Sequence, residues 1–183
     1  MGSEMCIRDR FQLSRLKTGT PPRIAASSVA LGARYPGHQA AQRSEALSVL
    51  CGDDEPAAFS FLHHDGPPID ARRQMYCYGT RTTPATHEIV HTEVHGDDYD
   101  MTTYAGPRYC PSLEVKVLRF AHKSSHPVWL EPEGFLTTPQ GDGHVLYPNG
   151  LSCSLAPETQ ARLVRTIPGL EHAELLRPGY AVE

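Results

Sequence analysis

"GPRYCPSLEVKVLRF", residues 106–120, places a turn, a cysteine and an amphipathic run in immediate succession. Gly106 and Pro107 punctuate the approach. Pro111 has a fixed φ and no N–H, which suits the first position of a helix. The spacing predicts a helix from Pro111 onward, with Cys110 as its capping residue. Leu113, Val117 and Phe120 follow at i, i+4 and i+7, an apolar stripe of about three turns. Glu114 falls in the first turn, where the helix dipole favours negative charge. Lys116, Arg119 and Lys123 form a basic stripe toward the far end, where cations are favoured.

Cys110 then has two readings. The thiolate is the nucleophilic form of cysteine, and a helix N-terminus with Arg108 beside it stabilises that form. The free N–H groups of the first turn also suit an anion. The plainer alternative is a buried, inert cysteine on a well-capped helix.

The rest of the chain bounds the setting. Its 183 residues are enough for one domain with a real core. The net charge of −4 announces no global affinity for nucleic acid, so an RNA site has to be a local patch. No run of about 18 apolar residues marks a membrane span. Sixteen prolines and fifteen glycines argue for a loop-rich module with strands over a helical bundle. The five cysteines, Cys6, Cys51, Cys77, Cys110 and Cys153, are scattered and contain no C-x-x-C. That disfavours zinc ribbons and thioredoxin-like chemistry, and it fits a reducing compartment. His87, His91 and His95 recur at i, i+4 and i+8, and His63 and His64 adjoin. β-Branched neighbours and the lack of a second cluster favour a solvated loop or helix face over a metal site. "MGSEMCIRDR" (1–10) has no apolar core for a signal peptide and is set apart as a non-native leader.

Along the chain, 11–24 reads as a short strand entering a Gly/Pro loop. Arg15, Lys17 and Arg23 surround "TGTPP" there, either as a solvated basic turn or as a phosphate or RNA-backbone contact. Residues 25–57 read as a surface excursion. Strands are expected at 58–62 and 74–80, a strand then a turn over 126–134, and a helix over 84–98 with Pro84 at its first position. "HVLYPNGLSCSL" (144–155) reads as a hairpin about a Pro-Asn-Gly turn. Residues 156–167 read as a helix opened by Pro157 and Glu158, and 169–180 as a strand and turn. There is no G-x-G-x-x-G and no P-loop.

"RLKTGTPPR" (15–23), "FSF" (59–61), residues 106–120, "WLEPEG" (129–134), "YPNGLS" (147–152), "IPGLE" (167–171) and "RPGYAVE" (177–183), in this order, resemble the glucose-inhibited division protein A family. These are flavin-dependent enzymes that modify carbon 5 of the wobble uridine of certain tRNAs. "KVLRF" and "VWLEPEG" look like the mitochondrial branch, with a bacterial-type cytoplasmic enzyme as the alternative. The family's Rossmann FAD fingerprint, a further cysteine motif and a helical docking region have no counterpart here. The resemblance therefore implies that 11–183 is an internal part of the FAD-dependent domain. Its fold is expected to be α+β, with mixed, largely antiparallel strands and short helices, inserted in a Rossmann-type flavoprotein. "CYGTRTT" (77–83) departs from the family pattern, with Arg81 and Thr83 standing where His and Asn are customary.

The resemblance also implies roles. Cys110 would be catalytic, because a thiolate adding at carbon 6 of uridine makes carbon 5 nucleophilic. Gly106, Pro107, Arg108, Tyr109, Cys110, Pro111, Ser112, Glu114 and Lys116 would bind cofactor, with Tyr109 able to stack on a ring. Arg15, Lys17 and Arg23 would contact RNA. FAD, NADH or NADPH, and methylene-tetrahydrofolate are the implied cofactors. The implied partners are tRNA, a tRNA-modification GTPase and a second copy of the full-length protein. No metal is called for. A non-catalytic RNA- or dinucleotide-binding module is the competing class.

Overall fold

Alternating side chains on short strands build one face of a sheet that buries its apolar residues. In the computed structural model, residues 18–32, 43–54, 62, 75–94, 111–134 and 144–182 are described. The strands are β1 (Thr18–Gly19), β2 (Arg23–Ala25), β3 (Ser48–Leu50), β4 (Cys77–Arg81), β5 (Pro127–Pro132), β6 (Val145–Asn149), β7 (Leu175–Arg177) and β8 (Ala181–Val182). The helices are α1 (Pro84–Val94), α2 (Leu113–Arg119) and α3 (Pro157–Val164). Six strands form one sheet in the order β3-β4-β5-β6-β2-β7, and β1 pairs with β8. Every pairing among the described strands is antiparallel, so the expected α+β class holds.

Register decides which side is buried, because side chains alternate with a period of two. Val49, Tyr78, Leu130 and Pro148 stand in one row across four strands. Pro132, Leu146, Ile24 and Leu175 make a second row. Tyr78, Leu130, Leu146 and Ile24 are fully buried. Val90 and Val94 of α1, Leu113 and Val117 of α2, and Leu163 and Val164 of α3 join them in the same core. On the opposite face Gly79 pairs with Trp129, whose half-exposed ring lies over the glycine.

Caps and prolines set the helix starts. Pro84 opens α1 behind a reciprocal cap: Thr83 N donates to Thr86 Oγ1 at 3.0 Å, and Thr86 N to Thr83 Oγ1 at 3.2 Å. This gives Thr83, one of the two departures from the family pattern, a structural task. The other, Arg81, donates from Nε to Ser125 Oγ at 3.0 Å. Pro157 opens α3 as expected.

Four expectations need correction. First, α2 begins at Leu113 and its cap is Ser112, whose hydroxyl accepts from Val115 N at 3.4 Å. Cys110 and Pro111 lie upstream of that start; a serine oxygen satisfies an orphan N–H better than a thiol. The helix also ends at Arg119, with Phe120 as its C-cap and Val115 and Glu114 among its buried residues. Second, the 144–155 hairpin does not form. Gly150 has φ of 101° at the turn, where glycine is at home. Beyond it Leu113 N donates to Ser152 O at 2.7 Å, and Cys153 N donates to Thr20 O at 3.3 Å. Third, 25–57 is no mere surface excursion: Val29, Leu31 and Leu47 are buried in the core, and β3 lengthens the sheet. Fourth, His87 is buried, where a solvated face was expected. Residues 58–61 and 95–98, and the leader 1–10, lie outside the described residues.

Candidate functional site

The described part of the 106–120 motif, 111–120, forms α2 and its two caps. Pro111 is half-buried and Ser112 caps the helix. Glu114 is fully buried. Its Oε1 accepts from Ser154 N at 2.7 Å and from Ser154 Oγ at 3.2 Å. Its Oε2 is buried with no hydrogen-bond partner. A buried carboxyl oxygen without a donor is costly unless a ligand or water supplies one. Lys116 Nζ donates to Gly150 O at 2.6 Å, tying the helix to the turn after β6. Gly106, Pro107, Arg108, Tyr109 and Cys110 lie outside the described residues, as do Arg15 and Lys17.

Arg23, the described member of the proposed RNA-contacting trio, is engaged within the chain. Its Nε donates to Glu133 Oε1 at 2.6 Å and its Nη1 to Pro21 O at 2.9 Å. Its guanidinium also lies 4.5 Å from the centre of the Tyr147 ring. Three partners leave it poorly placed to reach a phosphate.

Other titratable groups were not legible in the sequence. Cys153 is buried beside Glu114; burial first, then that carboxyl, push its thiol up to about 12. It is inert at neutral pH. Thr82 Oγ1 accepts from His126 N at 2.8 Å and lies 2.8 Å from His87 Nε2. The rings of His87 and His126 are 5.2 Å apart. Burial, then the neighbouring His91, lowers the pKa of His87. His126 is pushed down to about 4, by burial first and then by His87, Lys116, Lys123 and Arg81. Its Nε2 is buried without a partner. Among the described residues no group of three His, Cys, Asp or Glu could hold a metal ion, and no helix is long and apolar enough to cross a membrane.

An antiparallel sheet covered by three short helices, with a buried carboxyl in the first turn of the motif helix, defines an α+β unit. The family model for glucose inhibited division protein A matches residues 3–183, and the chain belongs to that family. The tRNA uridine 5-carboxymethylaminomethyl modification enzyme MnmG of Salinibacter ruber is 42% identical in an alignment that covers 97% of this chain and 24% of that protein. Two crystal forms of Aquifex aeolicus GidA share the fold. Form I has a TM-score of 0.69 at 38% identity, covering 97% of this chain and 28% of that one. Form II has 0.68 at 37%, covering 97% and 25%. The chain thus spans about a quarter of the length of the curated relative.

Proposed function

We propose that this chain is part of a flavin-dependent enzyme that modifies carbon 5 of the tRNA wobble uridine, installing a carboxymethylaminomethyl or taurinomethyl group. One observation carries the reading: 42% identity across 97% of the chain to an enzyme named for that reaction. Carbon 5 of uridine is a poor nucleophile. The Cys110 thiolate adds at carbon 6, and the electron pair of the 5,6 double bond moves to the carbonyl oxygen at carbon 4. The resulting enolate attacks a one-carbon electrophile through carbon 5. Loss of the carbon 5 proton to a base then expels the thiolate and restores the ring.

FAD supplies the redox and one-carbon-carrying chemistry when bound, with NADH or NADPH as reductant and methylene-tetrahydrofolate as donor. One observation among the described residues bears on a cofactor that carries hydroxyls. Glu114 offers its unpartnered buried Oε2 to a hydroxyl, while Ser112 and Lys116 fix the helix that presents it. In the full-length protein the partners are tRNA, a tRNA-modification GTPase and a second copy. The likeness of "KVLRF" and "VWLEPEG" to the mitochondrial branch supports a mitochondrial setting, with bacterial-type cytoplasm as the alternative.

The test is Cys110→Ser in the full-length protein. Ser cannot supply the nucleophile without a dedicated base. Modified wobble uridine, read by nucleoside analysis, should vanish while the flavin absorbance stays. Near-normal modification would show that Cys110 is structural.

A further inference from the structure

The sequence between Glu114 and Glu131 contains no acidic residue, nor does that between Asp70 and Glu88. The fold brings these two stretches together. Arg81, at the end of β4, pairs with Pro127 at the start of β5. It also donates to Ser125 in the turn that leads from α2 into β5. That turn is wound tightly: Phe120 N donates to Lys116 O at 3.0 Å and Lys123 N to Phe120 O at 2.8 Å. Lys123 Nζ sits 5.3 Å from the centre of the Phe120 ring, and His122 meets the same ring edge-on. Arg81, Arg119, His122 and Lys123 are all exposed.

Helix-dipole complementarity explains Arg119 in the last turn of α2. It does not explain Arg81, on a strand, or Lys123, beyond the helix. Nor does a described carboxylate neutralise these cations. The ion pairs among the described residues, Arg23–Glu133 and Arg162–Glu93, lie elsewhere, and Arg81, Arg119 and Lys123 have no carboxylate partner there. A second observation lies beneath the patch. His126 is 5% exposed, its Nε2 has no partner, and beyond its burial it feels repulsion from His87, Lys116, Lys123 and Arg81. Exposed cations that no described carboxylate pairs, clustered in a chain whose net charge is −4, attract an anion from outside.

We propose that Arg81, Arg119 and Lys123 form a surface that contacts the phosphodiester backbone of the RNA substrate. Phe120 and His122, set between the cations, give that surface aromatic edges of the sort single-stranded nucleic acid uses. The proposal rests on the tRNA-modifying reading above and adds the place where the RNA lies.

The test is binding of a fluorescein-labelled tRNA transcript to the full-length protein across a salt series. Each lost phosphate contact lowers the salt slope by roughly 0.7–0.9. The triple variant R81Q/R119Q/K123Q should therefore bind more weakly at low salt, with a slope reduced by roughly 2–3. The charge-retaining triple R81K/R119K/K123R should keep the wild-type slope, and R162Q, whose partner is Glu93, should change neither. Lys123→Gln alone, in an exposed turn, should lower the slope by about one contact's share and guards against misfolding of the triple. An unchanged slope in the Gln variants overturns the proposal alone and would leave the patch as a docking surface for protein. No binding by the wild-type protein at any salt overturns both the proposal and the reading beneath it.

Discussion

His126 shows how burial, and after it the charges of its neighbours, sets a single residue's protonation. Its folded-state pKa lies at about 4, against about 6.5 for an unperturbed imidazole. The unfolded chain therefore binds more protons between these values, and stability rises with pH across that window. As pH falls from about 6.5 toward 4 the chain should lose stability. His126→Asn should flatten this dependence, and His87, lowered in the same direction, should account for part of what is left. Urea midpoints at several pH values read it out; equal slopes in wild type and variant would refute it. Cys110, by contrast, loses one support for its acidity, because Ser112 and not Cys110 caps α2.

Among the elements, α2 is the most exposed to single changes, since seven residues hold few bonds of their own. Its first turn depends on outside partners: Ser112 Oγ for Val115 N, and Ser152 O for Leu113 N. Ser112→Ala should cost about 1 kcal/mol of stability, at the lower side because the bond is 3.4 Å long. The same partners explain the missing hairpin. Backbone groups of 152–154 that would pair back on β6 are spent on α2 and Thr20. A denaturation midpoint that Ser112→Ala leaves unmoved would show that packing of Leu113 and Val117 alone holds the helix.

At the scale of the molecule, the first and last described strands close on each other. Thr20 N donates to Tyr180 O at 2.8 Å and Tyr180 N to Thr20 Oγ1 at 3.1 Å. Buried Gln160 of α3 clamps this junction. Its Oε1 accepts from Gly179 N at 2.7 Å, and its Nε2 donates to Gly179 O at 2.9 Å and Leu155 O at 2.7 Å. A Cβ at Gly179 would collide with the Thr20 carbonyl. Gly179→Ala should therefore part β1 from β8 and cost about 1–3 kcal/mol. Amide hydrogen exchange would show the loss at Thr20 and Tyr180 first; unchanged protection there would mean the backbone shifts without opening.

The sequence by itself determined where most elements lie. Pro84 and Pro157 mark the starts of α1 and α3, because a residue without an N–H costs nothing there. The alternation of Val128, Trp129 and Leu130 marks β5, because a half-buried strand needs a period of two. The 106–120 motif and its companions also carried the family. Tertiary structure alone decided the start of α2, the burial of Val29, Leu31 and Leu47, and the partners of Glu114, Arg23 and His126. Each of these depends on groups far off in sequence: Ser154 for Glu114, Glu133 for Arg23, Thr82 for His126. Local pattern encodes propensity and periodicity, which act over a few residues. Hydrogen bonds and charge neutralisation between distant segments exist only once the sheet order has been chosen.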